Sequence, residues 1–428
     1  VGIDDEIRER FKGASDKLAE EVSGLAGQVA DKAAPRLFRY MRNHKPIIST
    51  DAVTIVALAE DVKQVLGDPE HFTAGLYGPK MEAVTGPFIL GVDDTPLYRH
   101  DHAAMDRAVR AEDMPLLGDA MLGYARELVA PARDGGELDV VTDLADPALV
   151  RSIGTYFGTP GPDAETLARW ARDIFWELFI NVNNLAETRD RALEDAARWR
   201  THLDDQIDAR KMALKAGDDV PEDVLTRLLR FQAAAEDEGE GEPSFFDISI
   251  RHNILGNIVG WIPTVSNSLA RAVNVLLERE DELREAQAAA RAGDRELVGR
   301  YVWEALRFSP QNFALLRLVG KNGGTIAPGT ERETEVKAGS TVYVGTLSAM
   351  HDERAIDDPE AFRVDRPWSD YMLFGFGLHT CYGQQIVRHQ LPAMMTALLE
   401  GAPIERASSL KFEGPFPSQM AVRFARDD

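Results

Sequence analysis

The chain has 428 residues, 44% of them hydrophobic and 28% charged, a globular balance that excludes a disordered or membrane-embedded chain. Its 48 Lys and Arg stand against 71 Asp and Glu, a formal net charge of −23, which excludes nucleic acid and anionic membrane as partners by repulsion. One cysteine excludes an intrachain disulfide and any multi-cysteine zinc site, and fits a reducing compartment.

In chain order, the N-terminus (VGIDDEIRERF) is charged throughout, so it reads as neither signal peptide nor anchor. No stretch reaches the roughly 18 unbroken apolar residues of a membrane span, and a cytoplasmic protein is expected. Residues 52–57 (AVTIVA) predict a strand. Residues 72–96 form a long loop rich in Gly and Pro; Phe88, Ile89 and Leu90 make it too apolar for disorder, so it reads as functional. Apolar residues at three- and four-residue spacing predict helices over 102–131, 163–184, 186–215, 246–278 and 295–308. Between them, 233–243 (AAAEDEGEGEP) reads as a solvated acidic linker. Further strands are predicted at 314–319, 341–345 and 419–424. No internal repeat is present. The fold class is mainly α with a few short strands.

The lone cysteine lies in Phe374-Gly-Phe-Gly-Leu-His-Thr-Cys381-Tyr-Gly383, ahead of a helical stretch, QQIVRHQL. A thiolate just before a helix is favoured by the helix N-terminus. Gly375 and Gly377 allow a tight turn, and Gly383 allows close approach to something large and flat. Phe374 can shield the sulfur and His379 can donate. A shielded thiolate held by backbone amides is what an axial haem ligand requires. The plain alternative is a buried structural cysteine in a glycine-rich turn.

On these residues the sequence resembles the cytochrome P450 family of haem-thiolate oxygenases, whose F-G-x-G-x-H/R-x-C-x-G signature is filled at every fixed position. Trp303-Glu304-Ala-Leu-Arg307 supplies E-x-x-R on one helical face, at the family's distance before Cys381, and Arg366 stands where the family closes this network. Phe157-Gly-Thr-Pro160, Ser348–Asp352 and Asp358–Phe362 match further family segments. The resemblance runs from about residue 35 to 428, so 1–428 reads as one domain, with 1–34 as an N-terminal helical extension. It implies the P450 fold: a helical prism with small β-sheets, with haem b between distal and proximal helices. By family position, Arg317 and His379 meet the haem propionates. Tyr98 and His102 stand where the family places a histidine and an arginine for the same task. A metal reading of the His100-x-His102 pair lacks further ligands.

The distal helix departs from the pattern. The family centre, A-G-x-acid-alcohol, matches Val259-Gly260-Trp261-Ile262-Pro263, followed by Thr264. Gly260 fits the space-making role. A one-residue shift makes Thr264 the alcohol but puts Trp261 where a small residue is needed. Neither alignment supplies an acid for proton delivery. Pro263 removes a helix hydrogen bond and frees a carbonyl that could hold water.

The resemblance places the substrate pocket at the 72–92 loop with Phe88 and Leu90, at Phe175–Asn184, at Trp261–Ser268, and at Asn312, Phe313 and Ala314 with Pro417, Ser418 and Gln419. This lining suits a small hydrophobic substrate with one or two polar groups. The cluster Asn181, Asn183 and Asn184 either binds a polar group or marks a helix end. The implied activity is monooxygenation with O2 and electrons from a ferredoxin and ferredoxin reductase, received at a basic patch of Arg107, Arg110, Arg388 and His389. A peroxide-driven peroxygenase or an oxygen-free rearranging enzyme is the alternative within the fold. A haem-binding sensor would need a signalling module. A terpene cyclase would need D-D-x-x-D, which Asp93-Asp94 and Leu97 do not complete.

Overall fold

A computed structural model describes residues 28–181, 184–238 and 247–426. Most of the expected extension at 1–34, part of the acidic linker, and Asn183 lie outside the described residues. The chain divides into two compact units.

The first unit holds the chain up to Leu76, Ile180–Asn184 and Asn312–Cys381. Its centre is a five-stranded sheet in the order Ile47–Ser49, Val53–Val56, Thr341–Val344, Leu315–Val319, Phe72–Thr73. Val53–Val56 pairs in parallel with Thr341–Val344, and the other pairings are antiparallel. Val53–Val56 is buried throughout, and its two-residue period deals its side chains to two apolar clusters. Val56 joins Val62, Val65, Leu66, Phe72, Val342 and Val344. Val53 and Ile55 join Phe38 and Met41 from the helix Gln28–His44.

The second unit holds most of the helices. Pro96–Ala108 starts at Thr95, whose hydroxyl accepts from Tyr98 N. Ala164–Phe175 starts at Asp163, whose carboxylate accepts from Thr166 N. Arg295–Phe308 starts at Asp294, which accepts from Leu297 N; each cap satisfies an N–H that the first turn cannot. The longest run through the core is Asp247–Leu276, an α-helix with Pro263 inside it. Gln384–Leu399 follows the cysteine loop and packs along Met114–Val129. Two small sheets complete the unit, Glu137–Asp139 with Ala421–Phe424 and Ile404–Arg406, and Lys411–Glu413 with Phe416–Gln419.

Two expected helices are divided. The span 102–131 breaks at Val109, and a new helix begins at Met114 with Pro115 in its first turn. Proline tolerates that position because its missing N–H has no partner there. The span 163–184 is α-helical only to Phe175 and continues as a π-helical segment, Trp176–Ile180. Among the described residues no helix is long and apolar enough to cross a membrane.

Candidate functional site

In the first unit, a tight turn builds the approach to Cys381. Gly375 and Gly377 take φ of +73° and +75°, the left-handed region open to glycine. A Cβ on Gly377 would also lie 2.5 Å from the Leu66 carbonyl oxygen. The Cys381 N–H donates to the Phe374 carbonyl at 2.8 Å, while the thiol is exposed. Phe374 packs on Trp368, ring centroids 5.9 Å apart. Gly383 is the N-cap of the helix Gln384–Leu399. A sulfur presented from a turn with its backbone amide engaged, just ahead of a helix, fits an axial haem ligand.

Other predicted residues of this unit are placed as follows. Arg317 is buried on its strand and donates to the Leu316 carbonyl at 2.9 Å. His379 ends a short 3₁₀ turn, Gly377–His379. Arg366 is 1% exposed at its side chain and donates to the carbonyls of Asp357, Asp358 and Ala361. Phe313 packs on Phe38 at 6.4 Å, and Asn312 is exposed. Asn184 is exposed with φ +52° and its N–H bonds the Asn181 carbonyl at 3.1 Å.

In the second unit, the 86–90 segment lies along one face of the distal helix. A Cβ on Gly86 would strike the His252 ring, and one on Gly256 would strike the Phe88 ring. Leu90 comes within 3.4 Å of the Cβ position of Gly260. Asn253 accepts from Ile89 N at 3.4 Å and donates to the buried Asp101 carboxylate at 2.7 Å. Sequence reasoning missed Asn253 and Asp101, whose pairing joins elements far apart in the chain. Burial and the charges of Arg251 and Arg200 push the His252 imidazole down to about 4.

The Thr264 hydroxyl donates to the Gly260 carbonyl at 2.6 Å and lies 3.1 Å from that of Trp261. Trp261, expected in the substrate pocket, is buried. Its indole N–H donates to Gln390 Oε1 at 3.1 Å and its ring packs on Phe157 at 5.4 Å. The physical reason is that a buried indole N–H needs an acceptor, and Gln390 supplies one.

Tyr98 is buried, and His102 faces Asp106, Nδ1 to Oδ2 3.0 Å. The His102 ring stands between Tyr98 and Tyr382, 5.4 Å from each. Burial and the Asp106 carboxylate push the Tyr382 phenol up. His100 faces Asp101 at 3.2 Å, so each histidine of the pair meets its own carboxylate. Glu304 and Arg307 form a two-pronged pair at 2.8 and 3.1 Å, both side chains 0% exposed. This is no ordinary surface ion pair.

The aromatic rings of Tyr77, Phe175, Phe179 and Phe416 pack on one another, with Lys80 donating to the Glu177 carbonyl at 3.0 Å beside them. Ser418 is half-buried on the strand Phe416–Gln419. Of the expected basic patch, Arg388 and His389 share a groove of about 720 Å³ with Arg295 and Trp303. Arg107 stacks on Phe231, and Arg110 lies 3.7 Å from Glu222.

The family model described as "Cytochrome P450" matches residues 166–401. The chain is 26% identical to Cyclomarin C epoxidase CymV of Salinispora arenicola, over 91% of this chain and 95% of that protein. It is 24% identical to a steroid C26-monooxygenase of Mycolicibacterium smegmatis, over 92% of this chain and 90% of that one. In structure it is similar to CalO2, with a TM-score of 0.78 at 22% identity, covering 94% of this chain and 98% of that one.

Proposed function

The chain belongs to the cytochrome P450 family, and from that premise we propose a haem-thiolate monooxygenase that oxidises a small hydrophobic molecule. The observation that carries the reading is the lone cysteine, Cys381, exposed on a turn that two glycines in left-handed conformation make possible. Relatives named as an epoxidase and a monooxygenase support oxygen insertion over a peroxide-driven or oxygen-free reaction. Alignment over 91% of the chain supports reading 1–428 as a single domain.

In this proposal Cys381 holds haem b, and Arg317, His379, Tyr98 and His102 attend its propionates. When bound, haem supplies reductive activation of dioxygen, the thiolate adding electron density. The chain's own residues then have three tasks. Gly260 keeps side-chain atoms away from the reacting face. Leu90 and Phe88, laid along the same helix face, bound the substrate with apolar surface. Thr264 has its hydroxyl proton on the Gly260 carbonyl, so its oxygen is left to accept a hydrogen bond from water. Ile262 and Pro263 provide no acid, and protons reach the site through water alone.

Electrons come from a ferredoxin and its reductase, received near Arg388 and His389, in a groove that Arg295, Asp294 and Glu296 also line. The protein works in the cytoplasm. Incubation of the purified holoprotein with NADPH, ferredoxin, ferredoxin reductase and a library of hydrophobic compounds under ¹⁸O₂ tests the reading. Product carrying one ¹⁸O atom is expected. Turnover with hydrogen peroxide alone, and none with the reductase chain, would overturn it.

A further inference from the structure

The residue after Gly260 in the distal helix is a tryptophan, which a one-residue shift of the family pattern puts where a small side chain is needed. Its ring is buried and bonded across to another helix. The indole N–H donates to Gln390 Oε1 at 3.1 Å, and Gln390 Nε2 donates to Ser152 Oγ at 2.8 Å. Trp261, Gln390 and Ser152 are 6%, 0% and 2% exposed. An indole can only donate, so the glutamine oxygen must face it and the glutamine nitrogen must face the serine. The chain of bonds therefore has one direction and one amide orientation. Phe157, packed on the indole at 5.4 Å, holds the ring from the side.

The placement of these residues gives the contact a consequence. Gln390 lies on the helix Gln384–Leu399, which begins just after Cys381 and Gly383. Trp261 lies between Gly260 and the turn that carries Pro263 and Thr264. Successive residues of an α-helix are about 100° apart around its axis. Fixing the direction of Trp261 therefore fixes the directions of Gly260 and Thr264. The need is greatest here, because Pro263 withholds one backbone hydrogen bond from this turn.

We propose that Trp261 and Gln390 are positioning residues for the oxidation. Their hydrogen bond sets the rotation of the distal helix about its axis. The proposal rests on the haem-thiolate reading and adds two residues to it. Neither touches substrate; they act through Gly260 and Thr264.

The test uses the holoprotein and the variants Trp261→Phe, Gln390→Met and Ser152→Ala. In the ferrous state it measures the carbon monoxide association rate and the C–O stretching frequency, with melting temperature recorded beside them. Trp261→Phe and Gln390→Met are each expected to change the association rate severalfold and to shift the stretch. The double variant should do no more than the larger single one, because both remove the same bond. Ser152→Ala, which leaves the indole bond in place, should give a smaller shift in the same direction. Gln390→Glu keeps an acceptor for the indole and should return the parent's frequency. Parental rate and frequency in Trp261→Phe and Gln390→Met, with only the melting temperature lowered, would reduce the contact to core packing and overturn the proposal. Loss of haem from every variant would also overturn it, since an orienting contact is not what retains the group. Failure of the haem-thiolate reading itself is separately visible, as an unaltered parent protein that forms no thiolate-type carbon monoxide complex.

Discussion

The Thr264 hydroxyl donates to the carbonyl of Gly260, 2.6 Å away, across the turn that contains Pro263. Proline withholds the N–H that would have bonded the Val259 carbonyl, and the threonine returns one side-chain bond to the same turn. Back-bonding of this kind bends a helix slightly. It also fixes the hydroxyl proton, so the oxygen faces the site as an acceptor.

Thr264→Ala should therefore fold normally, with a loss of about 1 kcal/mol or less from the missing bond, but should divert electrons to hydrogen peroxide. The ratio of peroxide formed to NADPH consumed, measured with the ferredoxin chain, is expected to rise, and Thr264→Ser should restore it. An unchanged ratio in Thr264→Ala would place proton delivery elsewhere.

Glu304 and Arg307 are completely buried and bonded by two prongs. Glu304→Ala strands the guanidinium and should cost about 3–5 kcal/mol. The urea midpoint should drop accordingly, with haem lost from the variant. A midpoint near that of the parent would mean that another acid takes over the arginine.

Gly377 combines φ +75° with a Cβ position 2.5 Å from the Leu66 carbonyl oxygen. Gly377→Ala must move the turn that presents Cys381, at a strain of about 1–3 kcal/mol. Haem affinity, measured by transfer to apomyoglobin, should fall more than global stability does. Equal falls in both would show that the turn is structural only.

The His252 imidazole is held down to about 4 by burial and by Arg251 and Arg200. The unfolded chain protonates this residue first as pH falls, near 6.5. Its contribution to stability is thus complete above pH 6.5 and is lost between 6.5 and 4. Asp173 works in the opposite sense. Burial raises it to about 6, so stability falls as pH rises from 3.8 towards 6. The parent and His252→Gln share Asp173, and its effect cancels in their difference. Melting temperatures should show the parent losing more than His252→Gln on going from pH 7 to pH 5. Parallel losses would show that His252 titrates normally.

What the sequence made legible depended on how local the cause was. The strands at Val53–Val56, Leu315–Val319, Thr341–Val344 and Ala421–Phe424 fall within runs of β-branched and apolar residues that announce themselves. Glu137–Asp139 and Lys411–Glu413 have three residues each; the first exists only through a distant partner, Ala421–Phe424, and the second is one arm of a short hairpin with Phe416–Gln419. The cysteine loop was readable because its glycines, Phe374 and His379 are neighbours in sequence. The direction of Trp261 was not, because Gln390 stands 129 residues away. Nor was the break at Val109 read within 102–131, where the apolar spacing continues across it.

The central claim is a bond from Cys381 to haem iron, and the carbon monoxide difference spectrum of the reduced protein tests it most directly. The parent should show the red-shifted Soret band of thiolate-ligated haem, and Cys381→Ala should lack it. A colourless parent that takes up no haem, or a Cys381→Ala protein with the same band, would contradict the account.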